Sequence, residues 1–375
     1  MESNENGSER LQRFHAAFER GQQGEVDSFD IWLDDWGYRA DVANQEAIAE
    51  YFRNHPDSAA NHQDALETVG EYIGFATTRK DSYHVAVIGP EGIGKTQLLH
   101  AISYYISEID ANIEHVLFNA AKFGDKADNR FILEDCVDEI QSFQQSVVAV
   151  DDCHLDKRID YSLKELQSVT EIGVIITAWT PEGYSFNREK VIDAVDPSAE
   201  LHLGPLSKSD TFAAIDAIFD VVATDAPGFD IKAKEQIHRL SHAIPNIIIT
   251  IIVQSLHESF VGKLEPGSEA SIEAAGARLN LDDAMKRIYD LSAQKMEILR
   301  WILLSLDPRG RSPGELVDKL DRDKSTISYH LRTLSDQGFV TSQPEGRRTY
   351  YQVPNHLASL IQLRLAQDQQ FHAEL

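Results

Sequence analysis

A chain of 375 residues with 42% hydrophobic content has material for two or three domain cores. Its charge is unusual: 61 Asp and Glu against 35 Lys and Arg leave a net −26, which excludes nucleic-acid binding through bulk positive charge and leaves only a local basic patch for it. Two cysteines, Cys136 and Cys153, without a CxxC pair exclude a disulfide framework.

Arginine also outnumbers lysine. An acidic, lysine-poor chain with an ordinary core fits a halophile's cytoplasmic protein kept soluble by charge; an acidic mesophilic protein is the alternative. At molar salt the Debye length falls to about 3 Å, which would mute long-range repulsion from DNA. The 14 histidines fall without metal-ligand spacing. The opening MESNENGSER has no apolar targeting segment, and the longest apolar run, Ile247 to Val253, is too short to span a bilayer. A cytoplasmic protein without membrane contact is expected.

In chain order, residues 1–60 read as an acidic helical region. RLQRFHAAFERG has helical spacing and a glycine stop, and DIWLDDWGYRAD carries two tryptophans that would dock on the next domain. RNHPDSAAN reads as a loop and HQDALETVGEYIGFA as a helix. From about 82, buried strands alternate with helices. HVAVIG, IEHVLFNA, SVVAVDD, GVIITAW and ELHLGPL are five strands; TQLLHAISYYISEI, RFILEDCVDEIQSF and YSLKELQSV are helices between them. Short β-branched runs separated by helices predict an α/β unit over 61–206, a five-stranded parallel sheet with helices on both faces. Residues 207–288 read as a helical lid with linker helices. There IPNIIITIIVQSLHESF has strand propensity in a helical context and is read as a buried helix.

The first strand runs into GPEGIGKTQ: Gly89, Pro90, Glu91, Gly92, Ile93, Gly94, Lys95, Thr96 and Gln97. This is the GxxxxGK[ST] phosphate loop between a strand and a helix, as its chemistry requires. Its glycines let backbone N–H groups turn toward phosphate oxygens, and the following helix start adds partial positive charge. Lys95 would neutralise the β- and γ-phosphates of ATP, and the Thr96 hydroxyl would bind Mg²⁺. Such a site needs a second Mg²⁺ anchor from a neighbouring strand, and VVAVDD ends in acid downstream of the loop. Asp151 is therefore the expected metal ligand, directly or through water. Asp152 stands where many ATPases place a glutamate that polarises the attacking water. It is one methylene shorter, about 1.5 Å of reach, and a misplacement of that order can cost about 10²-fold in rate. It is read either as a weak base or as a bystander.

Residues 289–375 form a separate module. KMEILRWILLSL is amphipathic. SPGELVDKL has Ser312 as cap, Pro313 at the first helical position and Leu316, Val317 and Leu320 facing in. DKSTISYHLRTLSDQG is a third helix with Ile327, Leu331 and Leu334 on one face. FVTSQ-PEGRR-TYYQV reads as a β-hairpin about a basic tip. This order resembles a winged helix of the ArsR/MarR type. The outer face of the third helix offers Lys324, Ser325, Thr326, Ser328, Tyr329 and Arg332 to base edges and phosphates of double-stranded DNA. Arg347 and Arg348 would reach phosphates or the minor groove. A winged helix used for protein contacts is the alternative. LASLIQLRLA would either dimerise or pack on its own domain.

The succession GPEGIGKT, VVAVDD, GVIITAWT, LHLGPLSKSD, AIPN and a winged helix resembles P-loop ATPases of the AAA+ and STAND groups, and among them archaeal ATPases with a C-terminal winged helix, including Orc/Cdc-type initiators. In that family a polar residue after the fourth strand senses the γ-phosphate; here the resemblance implies Thr177 or Thr180, the alternative being a capping threonine. Trp179 and Asn246 stand where relatives carry arginines, and Arg239 is poorly placed to substitute. Arg188 lies where oligomeric relatives carry an arginine finger, or is a solvated arginine. With few charges around the γ-phosphate, the resemblance implies slow ATP hydrolysis and a nucleotide-dependent switch. The leading expectation is an ATP-dependent DNA-binding protein, initiator-like or a transcriptional regulator. The alternatives are a STAND-type signalling ATPase whose output is homo-oligomerisation, and a transposition or plasmid-maintenance helper.

Overall fold

The structure, a computed structural model, describes residues 28–58, 62–109, 113–120, 145–156, 158–170, 172–305, 307, 309–346 and 348–373. The segment 10–21, the helix expected at 130–143, Cys136 and Arg347 lie outside them.

Five short strands, β1 (Ser82–Ile88), β2 (Glu114–Asn119), β3 (Ser146–Asp151), β4 (Gly173–Trp179) and β5 (Ala199–His202), form one parallel sheet in the order β2-β3-β4-β1-β5. Alternation along the central strands divides the core. Val85, Val87, Val147, Ala149, Val174 and Ile176 enter one buried cluster, and Ala86, Ile88, Val148, Val150 and Ile175 the other. Both faces are therefore covered, which explains why these strands read as continuous apolar runs rather than as an alternation with polar residues. The helices of this unit are α3 (Gln63–Arg79), α4 (Lys95–Ile109), α5 (Ile159–Val169) and α6 (Pro181–Ala194); before them lie α1 (Ser28–Asp35) and α2 (Gln45–Asn54).

The segment expected as a helical lid comprises α7 (Lys208–Val222), α8 (Ile231–Ser241), α9 (Pro245–Gly262) and α10 (Glu269–Arg278). Ser207, Asp230 and Ser268 cap α7, α8 and α10 by accepting backbone N–H groups, each cap being worth about 1 kcal/mol. The isoleucine-rich segment is α9: Ile247, Ile248, Ile251 and Ile252 are buried at helical spacing, so the burial period overrides strand propensity. The N-terminal aromatics dock on this helix, with the Phe29 and Trp32 rings 5.4 and 5.9 Å from Phe260.

After the short α11 (Ala284–Tyr289), the last unit contains α12 (Ala293–Leu303), α13 (Pro313–Leu320), α14 (Lys324–Asp336), the hairpin β6 (Thr341–Glu345) and β7 (Arg348–Gln352), and α15 (Asn355–Ala373). Ser312 and Glu315 form a capping box on α13. Arg311 pairs with Tyr351 and widens the hairpin. The ladder runs nearer the tip than the sequence suggested: Pro344 pairs with Thr349 and Glu345 with Arg348, so Arg348 is a strand residue. The C-terminal helix α15 packs on α12 of its own unit and also on α6, α9 and α11. Among the described residues no helix is long and apolar enough to cross a membrane.

Candidate functional site

The phosphate loop leaves β1 and enters α4. Gly92 and Gly94 have φ of +69° and +109°, a backbone that side chains with Cβ adopt at a cost. The loop also has no lateral room: a Cβ on Gly92 would lie 2.5 Å from the Cβ of Asn246. The Lys95 ammonium is buried and donates to the carbonyls of Gly89 and Pro90, each at 2.8 Å. Burial pulls its pKa down, against the raising charges of Asp151, Glu91, Asp152 and Glu182.

The register of the sheet brings the acids to this lysine. The Thr96 hydroxyl donates to Asp151 Oδ2 at 2.6 Å. Asp151 is 2% exposed; burial, then the adjacent Asp152, push its carboxyl above the ordinary range, while the Thr96 hydrogen bond pulls it back. A hydroxyl touching one buried carboxylate suits Mg²⁺, which takes few protein oxygens and completes its shell with water and substrate phosphates. Asp152 adopts the left-handed region at φ +54°, which turns its side chain out of the strand alternation. Asn119, at the end of β2, donates from Nδ2 to Asp152 Oδ2 at 3.1 Å. The signal for Asn119 was the in-register pairing of Asn119 with Asp151 across β2 and β3, which a linear reading does not contain.

A cavity of about 310 Å³ opens beside the loop. Gly92 to Gln97 and Asp152 form one wall; Phe52 and Arg53 of α2, Ile218 of α7, and Pro245, Asn246 and Ile249 of α9 form the others. The N-terminal region thus belongs to the site. His62 Nε2 donates to the Ile93 carbonyl at 2.8 Å, and Gln97 Nε2 to the Phe52 carbonyl at 2.8 Å, tying this region to the loop. Asn246 meets the loop directly, its N–H donating to the Gly92 carbonyl at 3.1 Å. Arg239 is exposed on α8.

The residues at the end of β4 and after it have other partners. Thr177 lies on the face of β4 that meets His84: the buried His84 ring donates from Nδ1 to the Val195 carbonyl at 2.9 Å and accepts at Nε2 from Thr177, 2.8 Å away. Burial lowers the His84 pKa to about 4. Thr180 caps α6 by accepting the Gly183 N–H at 3.2 Å. Trp179 is wholly buried, and its Nε1–H has no partner among the described residues. Glu182, 2% exposed, has no hydrogen-bond partner in another described residue, and burial pushes its carboxyl up to about 7. Arg188 is half-exposed and pairs with Glu200 at 3.3 Å.

In the C-terminal unit Ile327, Leu331 and Leu334 are buried, and Lys324, Ser325, Ser328, Tyr329 and Arg332 form an exposed face of α14. Asp323 engages two of the expected contacts: Thr326 Oγ1 donates to it at 2.6 Å, and the Ser325 hydroxyl also donates to it. Arg348 is exposed on β7.

A helix-turn-helix domain family model matches residues 296–343, from α12 into the hairpin. No curated protein sequence matches the chain. Among solved structures, the chain is similar to the Aeropyrum pernix ORC1 protein in complex with DNA, at 14% identity and a TM-score of 0.50, over 84% of this chain and 94% of that one. The A. pernix ORC2 protein matches at 16% identity and a TM-score of 0.47, over 82% of this chain and 94% of that one. The Thermotoga maritima RuvB Holliday junction branch migration motor matches at 19% and 0.43, over 78% and 92%. The likeness to the ORC1 structure is one of fold, and the helix-turn-helix match covers part of the C-terminal unit.

Proposed function

We propose, from an AAA+ fold that ends in a helix-turn-helix unit, that this chain binds ATP with Mg²⁺ at the phosphate loop, hydrolyses it slowly and uses it to switch its binding of double-stranded DNA. The observation that carries the reading is the contact of Thr96 with Asp151 at the rim of a cavity walled by the loop and the lid. The nucleoside base would lie at the apolar end, against Phe52 and Ile218, and the phosphates against the N–H groups at the start of α4. Thr96 and Asp151 would hold Mg²⁺, which when bound would neutralise phosphate charge. Lys95 carries the fixed positive charge. Asp152, held by Asn119, faces the cavity as the group that orients the attacking water.

Slow turnover follows from what surrounds the γ-phosphate. Asn246 contributes an amide where a cation would stabilise developing charge, and Trp179 is sealed in the core; electrostatic groups of this kind each contribute about 10²–10³ in rate. The DNA side rests on the exposed face of α14 with Arg348 on the hairpin, and on the likeness in fold to a protein solved with DNA. A replication-initiator-like role is the finer reading that this likeness favours over a signalling ATPase.

The test is ATP turnover, with and without Mg²⁺ and duplex DNA, for wild type, Asp151→Asn and Asp152→Asn. Asp151→Asn should lose the Mg²⁺ dependence of ATP binding. Asp152→Asn should keep binding and lose hydrolysis. Full hydrolysis in Asp152→Asn would reduce that residue to a bystander, and nucleotide binding indifferent to both substitutions would refute the site.

A further inference from the structure

The C-terminal unit touches the phosphate loop itself. Ser359 and Gln362 lie one turn apart on α15 and are 0% and 1% exposed. Gln362 Oε1 accepts the Glu91 N–H at 2.6 Å, and Ser359 Oγ donates to the Glu91 carbonyl at 2.6 Å. One face of one helix thus takes both main-chain groups of a loop residue about 270 positions away. The contact extends beyond this pair: Phe186 of α6 meets the Trp301 ring of α12 edge-on, 6.2 Å between centroids. Glu182, buried without a partner side chain, senses Arg300 of α12 on one side and Glu91 and Lys95 on the other.

Glu182 is therefore enclosed where the C-terminal unit meets the core, Glu91 is half-buried there and also lines the cavity, and both sense the positive charge of Lys95. A buried acid is tolerated only while charge or hydrogen bonds compensate it. Lys95 is also the charge that a phosphate chain would use. It does not need to move: negative charge arriving beside it cancels the field that Glu91 and Glu182 depend on, and in a shielded interface that loss is felt more strongly than in water.

We propose that the docked C-terminal unit and a bound nucleoside triphosphate are antagonistic ligands of the phosphate loop, with Ser359 and Gln362 forming the contact that the triphosphate loosens. This rests on the nucleotide-binding reading above. A diphosphate, with less charge beside Lys95, loosens the contact less. Because the coupling is reciprocal, breaking the contact tightens triphosphate binding by the factor by which triphosphate weakens docking. Nucleotide would then set how freely the helix-turn-helix unit reorients relative to the core, without having to cover or uncover α14.

Two measurements on the full chain test this. In wild type, hydrogen exchange over residues 355–366 and 181–190 is followed without nucleotide, with Mg²⁺ and ADP, and with Mg²⁺ and a non-hydrolysable ATP analogue. The analogue should speed exchange several-fold and ADP less. The second measurement is analogue affinity in Ser359→Ala/Gln362→Ala, expected to be roughly tenfold tighter than wild type, with ADP affinity changed less. A wild type that binds neither nucleotide would sink the nucleotide reading and this inference together. A wild type that binds the analogue, with exchange unchanged in these segments and equal affinity in the double variant, would sink the inference and leave the nucleotide reading standing.

Discussion

Replacing Gly92 by alanine probes the seam between phosphate loop and lid. The new Cβ would lie 2.5 Å from the Cβ of Asn246 and 3.1 Å from its Nδ2. The lid cannot retreat freely, because the Asn246 N–H is bonded to the Gly92 carbonyl at 3.1 Å. Two costs add. Holding alanine at φ +69° costs about 1–2 kcal/mol, and the overlap costs about 1–3 kcal/mol if neighbours shift to relieve it. The variant should therefore be less stable by about 2–5 kcal/mol and should bind nucleotide more weakly, since the lid wall of the cavity is displaced. Asn246→Gly removes the obstructing atom at a cost of up to about 1 kcal/mol as a glycine near a helix start. In the double variant the overlap cost disappears and the conformational cost remains. Urea unfolding of the four proteins, with slopes checked for equality, should give a coupling of about 1–3 kcal/mol. Additivity within about 0.5 kcal/mol would show that lid and loop do not meet as described.

Glu182 makes stability depend on pH. Its carboxyl titrates near 7 in the folded protein against 4.5 as reference, so the folded chain binds more protons in that window and stability falls as pH rises through it. At about 1.36 kcal/mol per pH unit the swing is about 3 kcal/mol. The stability gained by Glu182→Gln over wild type should grow from pH 4.5 to 7 and then level off; a difference that does not vary with pH would contradict the burial of a chargeable group there. On the DNA side, Lys324→Ala and Arg332→Ala should each lower duplex affinity and reduce the slope of log affinity against log salt by about 1 if they contact phosphates. Unchanged binding isotherms for both would turn attention to a protein-contact role for α14.

Features carried by local spacing were legible in the sequence. The phosphate loop is one, because its glycines, lysine and threonine are adjacent and the strand and helix around it are continuous patterns. The buried face of α14 is another: Ile327, Leu331 and Leu334 announce it by their period. Chemistry set by register was not. Asn119 reaches Asp152 because β2 and β3 pair Asn119 with Asp151, and Thr177 turns to His84 because alternation along β4 points it to the opposite side of the sheet from Ile176. The paired hydroxyls of Ser325 and Thr326 depend on the rotamer of Asp323. Contacts across the whole chain, such as Phe52 in the cavity wall or Ser359 and Gln362 on Glu91, leave no local trace. Propensity and context conflict in α9, which is written in strand-forming isoleucines; their burial follows a helical period, as the context indicated.

The central claim is that nucleotide at the phosphate loop controls DNA binding by the C-terminal unit. Its most direct test is selection of random DNA duplexes at the protein's working salt, followed by affinity titration on the enriched sequence, for wild type and Lys95→Ala with Mg²⁺-ATP, with Mg²⁺-ADP and without nucleotide. The account predicts an enriched sequence bound by both proteins, with an affinity that changes between nucleotide states in wild type and stays constant in Lys95→Ala. No enrichment, or one wild-type affinity across all three states, would contradict it.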